Sequence, residues 1–150
     1  MTKAQSLAKR LRVTIRQSLV TYNLPHDASA VELLVMVAAH ESGLFKYIQQ
    51  VDGPALGLFQ MEPETHKEVL AYMKRNASKF KDIKSSSAER LVFDLRYSIA
   101  MARIFFMRFP EALPCATDVH GLARYAKKYW NTKAGKATAL DYYGAYLSCK

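Results

Sequence analysis

From Val31 to Ala39 the chain reads Val-Glu-Leu-Leu-Val-Met-Val-Ala-Ala, and this stretch limits what the rest can become. Wound as a helix it is apolar on nearly every side. It must therefore lie in the middle of a domain, with other elements wrapped around it. The sequence offers helices for the wrapping. Leu7, Leu11, Ile15 and Leu19 recur every four residues, the period of an amphipathic helix. Tyr22-Asn23-Leu24-Pro25 marks a break, and Ser29 with Glu32 has capping-box spacing at the start of the apolar helix. Pro63 suits the first turn of a helix running to about Asn76. A polar, serine-bearing connector follows from Lys79 to Ser87, and Ser86 with Glu89 makes a second capping box that opens a long helix to about Phe109.

Pro110 and Pro114 end that helix, because a proline ring cannot continue one. Thr117 or Asp118 can cap the next, over residues 118 to 130, and Thr138 with Asp141 begins the last. Six helices, no sustained strand alternation and one loop over 42–62, rich in glycine and aromatic residues, predict an all-α or mainly α fold. At 150 residues a single domain over 1–150 is expected; a chain of that size buries roughly 68–70% of its unfolded surface and needs no staples.

Charge narrows the partners without choosing one. Twenty-two Lys+Arg against 13 Asp+Glu give +9, a field that draws the protein to polyanions: nucleic acid, anionic lipid or an acidic cell wall. No basic motif of a nucleic-acid reader stands out, so nucleic acid is not expected as partner. The basic first helix is read as a solvated face, with the anionic envelope as its candidate contact. Lys3, Lys9, Arg10, Arg12 and Arg16 interrupt the N-terminus, which does not read as a signal peptide, and Leu91 to Phe109 carries too many charges to span a membrane. Synthesis in the cytoplasm is expected. Cys115 and Cys149 form one disulfide or remain two free thiols.

Chemistry enters at Glu41. It stands where the apolar helix runs out into Ser42-Gly43, half buried and close to the negative end of the helix. Both conditions disfavour the carboxylate and raise its pKa. A carboxylic acid kept protonated near neutral pH is what glycosidic cleavage requires. His40-Glu41 opens like a His-Glu-x-x-His zinc site, but Leu44 occupies the second histidine's position. His26, His66 and His120 are scattered and read as surface or capping residues. No metal or cofactor is expected.

Glu41-Ser42, then Gly57-Leu58-Phe59-Gln60-Met61, then Pro63 and Thr65 together resemble the signature of lytic transglycosylases and goose-type lysozymes. That family shows Glu-Ser, a short loop, Gly-Leu-Met-Gln, and Pro-x-Thr opening the next helix. Phe59 stands where the family has methionine, and the loop is about one residue longer than in soluble transglycosylases. Its third motif, Ala-x-Tyr followed by Asn, is approximated by Gly121-Leu122-Ala123-Arg124-Tyr125 and by Tyr129-Trp130-Asn131.

The resemblance implies a lysozyme-like fold acting on peptidoglycan glycan strands, as a monomer. On it, Glu41 protonates the oxygen between MurNAc and GlcNAc and then takes the proton of the MurNAc 6-hydroxyl, leaving a 1,6-anhydro product. Ser42 orients substrate, Gln60 bonds a sugar or holds the loop, Gly57 lets the backbone approach the sugar, and Phe59 belongs to the same substrate-binding loop. Tyr125 points its hydroxyl at Glu41, with Tyr129 as substitute.

Hydrolysis is the alternative outcome; it needs a second carboxylate, for which Asp52 is the candidate, while Glu62 and Glu64 start the next helix. Plainer roles are open for several of these residues. Asp52 suits a turn, Ser42 can close the turn after the helix, and Tyr125, Tyr129 and Trp130 fall at packing spacing. Tyr142, Tyr143 and Tyr146 read as packing. A basic nucleic-acid-binding module and a catalytically silent glycan-binding domain are the rival classes. A wall substrate without an export signal fits a bacteriophage-type lysin, released through a holin or carried by the virion.

Overall fold

The computed structural model describes residues 1–47, 53–132 and 135–150, and among these it is built of seven α-helices with no strand. Helix α1 (Lys3–Thr21) opens with a capping box in which Thr2 and Gln5 satisfy each other's backbone N–H groups. Ala8, Leu11, Ile15 and Leu19 form its buried stripe. It ends at Tyr22, followed by Asn23 at φ 56°, with Leu24 N–H returning to the Leu19 carbonyl and Asn23 N–H to that of Val20. This double return to the last turn is a Schellman motif, with asparagine taking the left-handed position.

Helix α2 (Ala28–Glu41) is the axis of the molecule. Val31 and every residue from Leu33 to Ala39 are buried. Helices α5 (Leu95–Met107), α6 (Val119–Ala126) and α7 (Ala139–Cys149) pack around it together with α1. Its N-cap is Asp27, which accepts from Ala30 N–H. Ser29 lies inside the first turn, and the expected Ser29–Glu32 box does not form. Glu32 is drawn away by better partners. It accepts from Arg12 at 3.0 and 3.1 Å and from the Tyr146 hydroxyl at 2.6 Å, which joins α1, α2 and α7.

Helix α3 (Pro63–Arg75) runs as expected and packs on α5. The connector beyond it is less polar in effect than in composition, since Phe80 and Ile83 are buried. The long helix expected from Ser86 to Phe109 is two. A short α4 (Arg90–Phe93) stops at Asp94, whose backbone is extended (φ −120°, ψ 99°) and whose carboxylate accepts from Tyr97 N–H and from Arg90 Nε. An aspartate that caps the following turn competes with helix continuation, and here it wins. Asp118 caps α6 through Gly121 N–H. The predicted stretch to residue 130 changes period at Lys127, where a π-helical turn covers Lys127–Asn131. Thr138 and Asp141 form the expected capping box at α7. Cys115 is exposed and Cys149 buried, and both are free thiols.

Candidate active site

Glu41 is the last residue of α2, and the chain beyond it is wound tightly to hold it there. Gly43 is left-handed at φ 60°, and Leu44 N–H returns to the Ala39 carbonyl at 2.8 Å, a second Schellman closure. Ser42 is the hub of this turn. Its buried hydroxyl donates to the Ala38 carbonyl and accepts from Phe45 N–H at 2.7 Å, while its carbonyl takes Lys46 and Tyr47 N–H. Both hydroxyl partners lie inside the turn, so Ser42 closes the helix end. Leu44 and Phe45 keep positive φ as well. Apart from Asn23, every described residue with positive φ sits on the loops between 43 and 60 or at Thr132. Such strain gathers where a fold over-determines a functional surface.

A cleft of about 670 Å³ opens beside Glu41. Tyr47, Ala55, Gln60, Met61 and Glu62 line one part of it, Thr65 the start of α3, and Phe105, Trp130, Asn131 and Thr132 the other. That size suits a small-molecule or saccharide site, which spans roughly 300–1,000 Å³. The mixture of polar side chains with Tyr47 and Trp130 suits a ligand having both hydroxyls and apolar ring faces.

Glu41 is held by a residue that the sequence reading assigned to packing. The Tyr142 hydroxyl donates to Glu41 Oε2 at 2.7 Å. Tyr142 is completely buried, and its ring lies 4.2 Å from that of His40. Burial raises the Glu41 pKa, and the Tyr142 hydrogen bond works in the opposite direction by favouring the carboxylate. Burial, and secondarily the charge of Glu41, push the Tyr142 phenol far up, so it remains a proton donor in this contact across the working pH range. A carboxylic acid with a raised pKa facing an open polar cleft can deliver a proton to a bound ligand and take one back.

The other expected site residues divide. Gln60 lines the cleft, held at φ 54° by its own side chain, which donates from Nε2 to the Gly57 carbonyl at 2.7 Å. Leu56 and Met61 pair across this turn by two backbone bonds. Gly57 does permit a close approach, but to the protein: a Cβ there would stand 2.2 Å from the Leu91 carbonyl oxygen of α4. Phe59 is fully buried in the core and is not among the residues lining the cleft. Its apolar neighbourhood explains why a large hydrophobe occupies the position. The Tyr125 hydroxyl donates to the Glu111 carbonyl and that of Tyr129 to the Glu111 carboxylate at 2.6 Å, with Tyr129 stacked on Phe109. Neither tyrosine touches Glu41; Tyr142 takes that role. Asp52 lies outside the described residues.

Glu62, expected only to start α3, is its N-cap without a side-chain capping bond, and the residue lines the cleft. His66 is buried, not on the surface, with Nε2 2.6 Å from the Tyr97 hydroxyl. The signal for Tyr142 was present in α7. Buried tyrosine hydroxyls need partners, and Tyr142 and Tyr146, four residues apart, serve the two acids of α2. Among the described residues no three His, Cys, Asp or Glu side chains converge as a metal site. No described helix is long and apolar enough to cross a membrane. No family model, curated protein or solved structure matches the chain.

Proposed function

We propose that this protein cleaves the glycan strands of peptidoglycan between MurNAc and GlcNAc, with Glu41 as the proton donor. The observation that carries the reading is Glu41 itself: a half-buried carboxyl at a helix C-terminus, raised in pKa, held by Tyr142 and bordering an open cleft with Gln60 and Asn131. The Glu-Ser and Gly-Leu-Phe-Gln-Met pattern supports the substrate class. Glu41 gives its proton to the glycosidic oxygen as the bond to the anomeric carbon breaks. The carboxylate left behind accepts the proton of the MurNAc 6-hydroxyl, whose oxygen closes on the same carbon. One strand then ends in anhydro-MurNAc and the other in a free GlcNAc hydroxyl. The place of action on this reading is the cell wall, as for a phage-type lysin.

Hydrolysis is the second reading, with Asp52 as the water-positioning carboxylate. Glu62 favours it as well, since it borders the same cleft. Digestion of purified peptidoglycan followed by mass spectrometry of the released muropeptides separates the two. Anhydro products are lighter than reducing-end products by one water, about 18 Da. Glu41→Gln is expected to abolish either release. Reducing-end products lost in Glu62→Gln or Asp52→Asn establish hydrolysis. No release by the unaltered protein overturns the enzyme and leaves a binding module.

A further inference from the structure

The solvent face of α1 has a composition that cleft chemistry does not use. No acidic residue precedes Asp27, and α1 carries five cations. Arg12 is turned inward to Glu32. Lys3, Lys9, Arg10 and Arg16 are exposed, and among the described residues none of the four joins an ion pair.

Winding at about 100° per residue brings Lys9, Val13, Arg16 and Val20 onto one line, with Arg10 beside it. Val13 and Val20 are 49% and 56% exposed on that line. The hydroxyls of Thr14 and Thr21 are already bonded back to the Arg10 and Gln17 carbonyls. The opposite stripe is fixed against α2, α5 and α7, so α1 cannot roll to hide the valines. No α1 residue is among those lining the cleft.

We propose that this face of α1 docks on an anionic lipid bilayer. Phosphate headgroups meet the Lys and Arg side chains, and Val13 and Val20 enter the boundary between headgroups and acyl chains, as on an interfacial amphipathic helix. Nucleic-acid phosphates would satisfy the cations equally but leave both valines against a polar surface. The centre line of the face therefore favours lipid.

The test is co-sedimentation of the full chain with vesicles of phosphatidylcholine containing phosphatidylglycerol, against vesicles of phosphatidylcholine alone, with duplex DNA as a second titration. Binding is expected to the anionic vesicles only, weakening with salt. Lys9→Gln/Arg10→Gln/Arg16→Gln is expected to lower it by roughly a hundredfold, about fivefold per cation. Val13→Ser/Val20→Ser is expected to lower it by roughly tenfold and to leave any DNA binding unchanged. Absence from the anionic vesicles, or binding indifferent to both sets of changes, overturns the proposal. DNA binding without vesicle binding assigns the face to nucleic acid instead. Glu41→Gln protein is expected to bind vesicles as the unaltered chain does, so failure of the glycan chemistry and failure of this docking are read separately.

Discussion

At the scale of single residues, Glu41 is under two opposed influences. Burial raises its pKa, while the Tyr142 hydroxyl at 2.7 Å favours its ionised form. A general acid acts only while protonated, so the rate is expected to fall as pH rises through the raised Glu41 pKa. Tyr142→Phe removes a contact that lowers this pKa. The alkaline limb of the pH–rate profile is then expected to move to higher pH. The plateau rate should drop about tenfold, because the carboxylate formed as the proton leaves loses an oriented, charge-assisted bond. A profile whose limb stays in place would show that Tyr142 only packs. Part of this was legible in the chain: a carboxyl ending an apolar helix has a raised pKa wherever that helix is buried. The identity of its partner was not, because Tyr142 is 101 residues away.

Elements are set mainly by their ends. Thr2, Asp27, Asp94, Asp118 and Thr138 each accept a backbone N–H at the start of a helix. The readings that failed were those where a cap had a rival. Ser29 lost to Asp27, two residues earlier, and Glu32 left the helix start for Arg12 and Tyr146. Two glycines make a paired test of backbone geometry. Gly57, at φ 80° with the Leu91 carbonyl close by, has no room for a side chain. Gly57→Ala is expected to cost about 2–4 kcal/mol, from left-handed strain and the displaced α4 backbone. Gly144 lies inside α7 with open space around it, and Gly144→Ala should stabilise by about 0.5–1 kcal/mol. Thermal melts followed by circular dichroism read both. Equal effects at the two positions would remove the packing account of Gly57.

At the scale of the whole molecule, α2 is the common neighbour of α1, α5, α6 and α7. Its two acids are points where polar contacts join the helices around it. Glu32 receives Arg12 from α1 and Tyr146 from α7, and Glu41 receives Tyr142. Arg12→Met leaves Glu32 mostly buried with a single donor. Removing one partner of such a pair leaves an uncompensated charge. Since these side chains keep 21% and 15% of their exposure, about 1–3 kcal/mol is expected, below the cost in a dry core. Urea unfolding measures it, and Arg12→Met with Glu32→Met should recover most of the loss. A double variant no more stable than the single one would mean that Arg12 acts through its packing on Tyr146.

What the sequence by itself determined is what neighbours along the chain decide. The helical class, the central apolar helix, the proline stops, the loop between α2 and α3 and the candidate acid at position 41 all depend on side chains a few residues apart. Only the tertiary structure decided that Tyr142 rather than Tyr125 meets Glu41, that Gly57 and Phe59 face the core, and that Glu62, Trp130 and Asn131 border the cleft. The reason is physical. Periodicity says which side of a helix is buried, but not which neighbour it is buried against. That choice depends on how several apolar faces fill one common volume, and no local pattern encodes it.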